Sequence, residues 1–259
     1  MSAPAMTHTA DIRIDDVAMR FTTRDGEGIQ ALDRTSLTIP AGQFVSVLGP
    51  SGCGKSTLLR IVAGLAAPSG GSVLIGDEQV RGPSRQVGMA FQAPVLLPWY
   101  TVAQNIALPG KLGKDRRGDA AGRVGELLDM VKLTGLGDKY PRELSGGMRQ
   151  RVAIARALIT GPSVILMDEP FGALDALTRE HLHDELLAIW QQSGATVLFV
   201  THDITEAVYL SDRVLVMSPR PGRVVADIGI DLPRPRGEHT RKAAAYADLA
   251  AELRRHIAH

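Results

Sequence analysis

Cysteine is nearly missing from this chain: Cys53 stands alone among 259 residues. One thiol cannot build an intramolecular disulfide framework, and such scarcity suits a reducing compartment. A surplus of one charge is missing too. Lys+Arg 29 against Asp+Glu 28 leaves a formal net charge of +1, without the basic excess of a dedicated nucleic-acid binder, so no nucleic-acid partner is expected. Long apolar runs are absent. Stretches such as Val164 to Met167 and Ala195 to Val200 fall far short of the roughly 20 residues that span a bilayer. The opening residues MSAPAMTHTADIRID have no basic n-region and no apolar h-region, so no secretory signal is expected. On these absences a cytosolic, soluble chain is expected.

What is present is ordinary for a globular protein with a sizeable core, with 44% hydrophobic and 22% charged residues. Glycine is the exception: 27 of 259 residues exceeds the typical share of about 7%. From Asp11 the chain reads as strand-rich, with an apolar run Phe44 to Leu48 entering a glycine-rich loop at Gly49. A helix follows from Lys55 to about Ala63, and short strands recur near Ser72 to Ile75 and Val87 to Phe91. Between about Ala93 and Ile159 the periodicity turns helical, in Ala120 to Val131 and Gly147 to Ile159, which reads as a helical insertion. Buried strands return as SVILMD and ATVLFVTH around a helix from about Ala176 to Gln192, and RVLVM follows. Continuous apolar strands alternating with helices predict an α/β sheet covered on both faces. In the tail, Tyr246, Leu249, Leu253 and Ile257 recur at helical spacing.

Gly49-Pro50-Ser51-Gly52-Cys53-Gly54-Lys55-Ser56-Thr57 fits the phosphate-binding pattern G-x-x-x-x-G-K-[ST]. Its glycines let consecutive N–H groups turn around an anion, and the following helix adds its positive end. Lys55 would reach the β and γ phosphates, and the Ser56 hydroxyl would bind Mg²⁺. The apolar strand before Asp168 places that carboxylate at a strand's C-terminal edge, where a Mg²⁺-linked group must lie. Glu169, one residue on, is suited to polarise a water against the γ-phosphate. Ser145, Gly146 and Gly147 open a helix and could form a turn with an N-cap, or a second anion site. A single chain has no use for two such sites on one triphosphate; two chains facing head to tail have.

LSGGM followed by RQRVAIARAL, together with the phosphate loop, Gln92, MDEP and His202, resembles the ATP-binding subunit of an ATP-binding-cassette (ABC) transporter. The match runs from about residue 11 to 225, with Met148 where that family most often has glutamine. It implies a P-loop NTPase (RecA-like) α/β core with a mixed sheet, at about 11–92 and 162–225. A helical subdomain would be inserted at about 93–161, and 226–259 would form a short C-terminal tail with a helix. It also implies roles: Gln92 touching Mg²⁺ and the attacking water, His202 contacting the γ-phosphate, Asp175 in a loop crossing a dimer interface, Phe21 stacking on adenine. Asp168 would hold the metal through water, and Ser145 and Gly147 would meet the partner's γ-phosphate.

APVLLPWYTVAQNIALP and LPRPR are similar to the nitrate, sulfonate and taurine importer branch. That resemblance implies a homodimer closing on two Mg·ATP, docked on transmembrane permease subunits at the cytoplasmic face of the inner membrane. An extracytoplasmic solute-binding protein would then select the cargo. Leu96, Leu97 and Trp99 either pack the insertion or line a groove for a permease helix. His181 and His183, two apart on a helix, do not share a face and make no metal site. Two rivals stay in view: a small-molecule kinase sharing the phosphate loop, and a soluble ABC-type ATPase acting on DNA or the ribosome.

Overall fold

The structure, a computed structural model, describes residues 9–22, 25–111 and 120–257. In chain order they form β1 (Ile12–Thr22), β2 (Gly28–Ile39), β3 (Phe44–Leu48), α1 (Lys55–Val62), β4 (Gly70–Ile75), β5 (Glu78–Gln79), β6 (Val87–Ala90), α2 (Val102–Lys111), α3 (Ala120–Met130) and α4 (Gly146–Leu158). There follow β7 (Val164–Asp168), α5 (Ala176–Ser193), β8 (Thr196–Thr201), α6 (Ile204–Leu210), β9 (Arg213–Met217), β10 (Val224–Gly229), α7 (Glu238–Lys242) and α8 (Ala244–Ile257). The chain divides into two compact units, residues 9–84 with 196–257, and Arg85–Ala195.

In the unit of residues 9–84 and 196–257, one sheet is antiparallel, in the order β2-β1-β4-β5. Alternation in β1 turns Ile12, Ile14, Val17 and Met19 inward, as a half-buried strand requires. In the second sheet β3 lies between β8 and β9 and is parallel to both. Every residue of β3 and β8 is buried, so these strands read as unbroken apolar runs. The register pairs Leu48 with Thr201 and with Val216. Gly49, His202 and the turn after Met217 therefore share one C-terminal edge, where parallel sheets place their ligands.

The segment after Arg223 is built into this unit. Val224–Gly229 pairs antiparallel with β9. In α8, Leu253 is fully buried in a cluster with Leu48, Val208, Val214 and Val216, and Tyr246, Leu249 and Ile257 pack against it. The face expected from the tail's spacing is thus the face that packs.

In the unit Arg85–Ala195, β6 and β7 pair in parallel, with Ala90 opposite Met167. Between them the described residues form helices and turns only, as the change in periodicity predicts. The pattern does not announce α2, which carries Pro109 within it. Helix α5 runs one residue beyond expectation, to Ser193, and stops at Gly194 with φ 65°, the left-handed C-terminal residue that glycine favours. Among the described residues, no helix is long and apolar enough to cross a membrane.

Candidate active site

The phosphate loop leaves β3 at Gly49 and turns into α1 through Gly54. Gly54 has φ 105°, a conformation that a Cβ disfavours. A side chain there would also stand 2.7 Å from Leu32 Cδ2 and 2.9 Å from the Ala31 carbonyl. Lys55 is buried, and its Nζ donates to the carbonyls of Gly49 at 2.7 Å and Pro50 at 2.9 Å. The ammonium thus lies across the loop from its own first carbonyls. Cys53 is buried in the loop floor.

On the same edge, β8 delivers His202, which is exposed. Its turn is fixed on both sides. The Thr201 hydroxyl donates to the Glu206 carboxylate and accepts from the Asp203 N–H at 3.0 Å. Asp203 caps α6 by accepting from Thr205 at 2.8 Å and Glu206 at 3.3 Å. Buried Glu206 is a support that the motif reading missed, because it is visible only once the turn is closed. Phe21, also in this unit, is 46% exposed, so it is not a core aromatic.

In the other unit, β7 ends at Asp168, and Glu169 follows with φ 46°. A non-glycine residue in that region stores strain of about 1–3 kcal/mol and is held there by its surroundings. Register brings Gln92 and Glu169 to matching positions, each two residues past the paired Ala90 and Met167. The space at Gly172 shows them converging: a Cβ built there would meet Gln92 Nε2 at 3.4 Å and Glu169 Oε2 at 3.8 Å.

Ser145 caps α4, its Oγ accepting from Met148 N at 3.2 Å. The two glycines that follow are where the neighbouring segment comes close. A Cβ at Gly146 would meet Leu174 at 3.5 Å, and one at Gly147 would meet Thr178 Cγ2 at 3.0 Å. The Ala173–Asp175 turn therefore sits beside the LSGGM segment, the signature string of the resemblance. Asp175 caps α5, accepting from Thr178 N at 3.0 Å. That backbone bond, helped by the Thr178 side chain, holds its carboxyl below the usual range.

The segment 93–101 is presented as a surface. Trp99 is 67% and Val95 62% exposed, and Leu96 and Leu97 are half-buried. Of the two readings of this apolar run, Trp99 therefore fits the surface one. Two side chains given no role of their own by the motifs hold the segment. Arg156 donates to the carbonyls of Val95 and Pro94, both at 2.8 Å, and burial pulls its pKa down. Asn105, fully buried, accepts from Leu97 N at 2.8 Å and donates toward the carbonyls of Leu97, Tyr100 and Thr101 at 3.0–3.1 Å.

The LPRPR string acts inside the protein. Arg234 pairs with Asp212 at 2.7 Å and donates to the Leu210 carbonyl at 2.9 Å. Arg236 donates to the carbonyls of Val208 and Tyr209. Together they satisfy the last carbonyls of α6. Burial pushes the Arg236 pKa down to about 10. His183 packs edge-on to Phe171, and among the described residues no cluster of His, Cys, Asp and Glu could hold a metal ion.

The chain is similar to several known proteins. A family model described as ABC transporter matches residues 32–172. The aliphatic sulfonates import ATP-binding protein SsuB of a Bacillus cereus strain is 47% identical over 233 residues, covering 88% of this chain and 90% of that protein. An uncharacterized ABC transporter ATP-binding protein of Methanocaldococcus jannaschii is 50% identical over 212 residues, 82% of this chain and 79% of that one. A solved dimeric ATP-binding cassette in a post-hydrolysis state with ADP and Pi superposes with a TM-score of 0.73. It is 34% identical and covers 87% of this chain and 99% of that one.

Proposed function

The chain belongs to the ABC transporter family, and from that premise we propose that it is the ATP-hydrolysing subunit of an importer for a small organic solute. Aliphatic sulfonates are the favoured class, by analogy with the sulfonate-import relative. The observation that carries the ATPase reading is the loop Gly49–Thr57. Its backbone conformation and crowding at Gly54 require glycine, and it enters a helix whose first residue is Lys55. Such a loop presents N–H groups and a helix terminus to an anion.

In this reading Lys55 faces the β and γ phosphates and Phe21 offers its exposed ring to the adenine. The Ser56 hydroxyl, the Gln92 amide and the Asp168 carboxylate, the last through water, are hard oxygen donors. Donors of that kind are what Mg²⁺ prefers, and these side chains would supply them. Magnesium, when bound, would neutralise charge on the phosphate oxygens. Glu169 takes a proton from the attacking water, and its strained backbone fixes where its carboxylate points. His202 steadies the γ-phosphate.

Two copies are proposed to meet head to tail, each offering Ser145, Gly146 and Gly147 to the ATP on its partner's loop, with Asp175 crossing between them. ATP then touches both chains only in the closed state, so its binding shifts the population toward closure, and hydrolysis releases it. The exposed Val95 and Trp99 would carry that movement to a permease at the cytoplasmic face of the membrane, and a solute-binding protein outside would choose the cargo.

The test is reconstitution with a permease in lipid. ATP hydrolysis should rise with permease and solute-loaded binding protein and ignore DNA and ribosomes. Stimulation by nucleic acid in place of permease would overturn the importer reading in favour of a soluble ATPase. Phosphate appearing on an acceptor other than water would favour a kinase.

A further inference from the structure

One cavity in the unit of residues 9–84 and 196–257 has no place in ATP hydrolysis. It is open to solvent on one side and holds about 520 Å³, within the roughly 300–1,000 Å³ of small-molecule sites and well beyond the needs of an inorganic ion. Its cationic side is Arg220 and Arg223; its apolar side includes Pro219, Val225 and Ile257. Asp33 is the one carboxylate in the lining, and it already accepts from the Arg34 N–H at 2.9 Å. No lining residue belongs to the phosphate loop.

The cavity's wall is preorganised. Ser218 Oγ lies 3.0 and 3.1 Å from the carbonyls of Pro219 and Pro221 and accepts from Arg223 N at 3.2 Å. Gly222 donates to Ala31 O at 3.1 Å and accepts from Asp33 N at 2.9 Å. Such a rigid turn lowers the entropy lost when a ligand binds. The Arg223 guanidinium has neither hydrogen bond nor ion pair among the described residues. Arg220 donates to the Gly52 carbonyl of the phosphate loop at 3.3 Å. Gly222 lies so close to that loop that a Cβ would stand 1.9 Å from the Cys53 carbonyl.

We propose that this cavity binds a small organic anion with a short apolar body, of the alkanesulfonate class, and that its occupancy is reported to the phosphate loop through Arg220. The guanidiniums of Arg220 and Arg223 take the anionic head, and Pro219, Val225 and Ile257 cover the alkyl chain. The choice of sulfonate rests on the importer reading; the cavity, its charge and its contact with the loop do not. Because the solute is released on the side where this subunit works, the site would sense delivered product. An anion that draws Arg220 away from Gly52 alters the loop's hold on nucleotide, and by linkage nucleotide must alter the hold on the anion by the same factor.

Calorimetric titration of the full chain with butane-1-sulfonate, with and without saturating ADP, tests this. We expect saturable one-to-one binding in both conditions, with dissociation constants that differ. Arg223→Gln should weaken it roughly tenfold or more, the effect of losing a charge-assisted contact. Inorganic sulfate, without an apolar body, and 1-butanol, without charge, should each bind at least about tenfold more weakly. No saturable binding at millimolar sulfonate, undiminished binding by Arg223→Gln, or sulfate binding equally well overturns the site. Displacement of sulfonate by ADP places it in the phosphate loop and also overturns the site. Equal constants with and without ADP overturn the reporting. Permease-stimulated hydrolysis, measured in parallel, separates the two readings. Its absence in the wild type refutes the importer, whereas its presence without sulfonate binding refutes this cavity alone.

Discussion

Replacing Asn105 with alanine takes a fully buried amide out from under the segment that presents Trp99. The amide makes four hydrogen bonds to the backbone of Leu97, Tyr100 and Thr101. They are not equally exposed to loss. The Leu97 carbonyl still accepts from Tyr100 N at 3.1 Å, and the Thr101 carbonyl from Asn105 N at 2.9 Å. The Leu97 N–H and the Tyr100 carbonyl are the groups left to desolvation, each costing about 1–3 kcal/mol if water cannot reach them. With partial access of water the expected loss is about 3 kcal/mol. Urea unfolding followed by both circular dichroism and tryptophan fluorescence measures it, the coincidence of the two curves establishing that a single free energy applies. A loss under about 1 kcal/mol would refute the reasoning, since it would mean the segment holds its shape without the amide. Asn105→Asp sharpens the test. A carboxylate in that place faces carbonyl oxygens away from water, so its folded pKa lies above its unfolded value. The excess instability is then largest at neutral pH and shrinks relative to wild type as pH falls below the folded pKa.

Glu169→Gln should retain ATP binding, accumulate as a dimer in size-exclusion chromatography with ATP, and lose about 10² to 10⁴ in turnover; brisk hydrolysis would remove Glu169 from the mechanism. Trp99→Ala should weaken co-purification with the permease while nucleotide affinity, measured by fluorescent ATP analogue, stays at the wild-type value. Equal loss of both would count against a docking surface. The lowered Asp175 pKa makes its cap on α5 an acid-sensitive support. Its folded pKa lies below the unfolded value of about 3.9, so the stabilisation is complete above that pH and fades as pH falls through the folded pKa. The stability difference between wild type and Asp175→Asn should close on acidification, and a constant gap would refute the assignment.

Legibility in the sequence followed the range of the forces involved. The phosphate loop, the carboxylates at the end of β7 and the signature string are each contiguous, and each needs glycine, acid or hydroxyl at fixed spacing, so residue type alone points to them. Strands β3, β7 and β8 were readable because burial on both faces leaves no polar alternation. Asn105, Arg156 and Glu206 were not readable: their work is to bind backbone or a neighbouring hydroxyl, and no local pattern marks a buried polar residue that does so. Arg236 shows the same limit from the other side. The string around it is conspicuous, but only packing shows its guanidinium closing the end of α6. Helix α2 carries Pro109 inside it and polar Asn105 on its buried face, two residues that argue against a helix, where α8 has neither.

Helix α4 is fastened to its surroundings at both ends. Near its start the two glycines after Ser145 lie against Leu174 and Thr178, Gln150 reaches the Phe91 carbonyl, and farther along Arg156 grips Pro94 and Val95. Beside Arg156, Gly88 of β6 comes so near the Ala157 carbonyl that a Cβ would stand 2.2 Å from it. Held near both ends, the helix is a strut about 16 Å long between Ser145 and Arg156. The proposed permease contact at Trp99 and the proposed phosphate contact at Ser145 would then load the same rigid element, and a shift of more than about 1 Å passed along it would break a hydrogen bond at the far end.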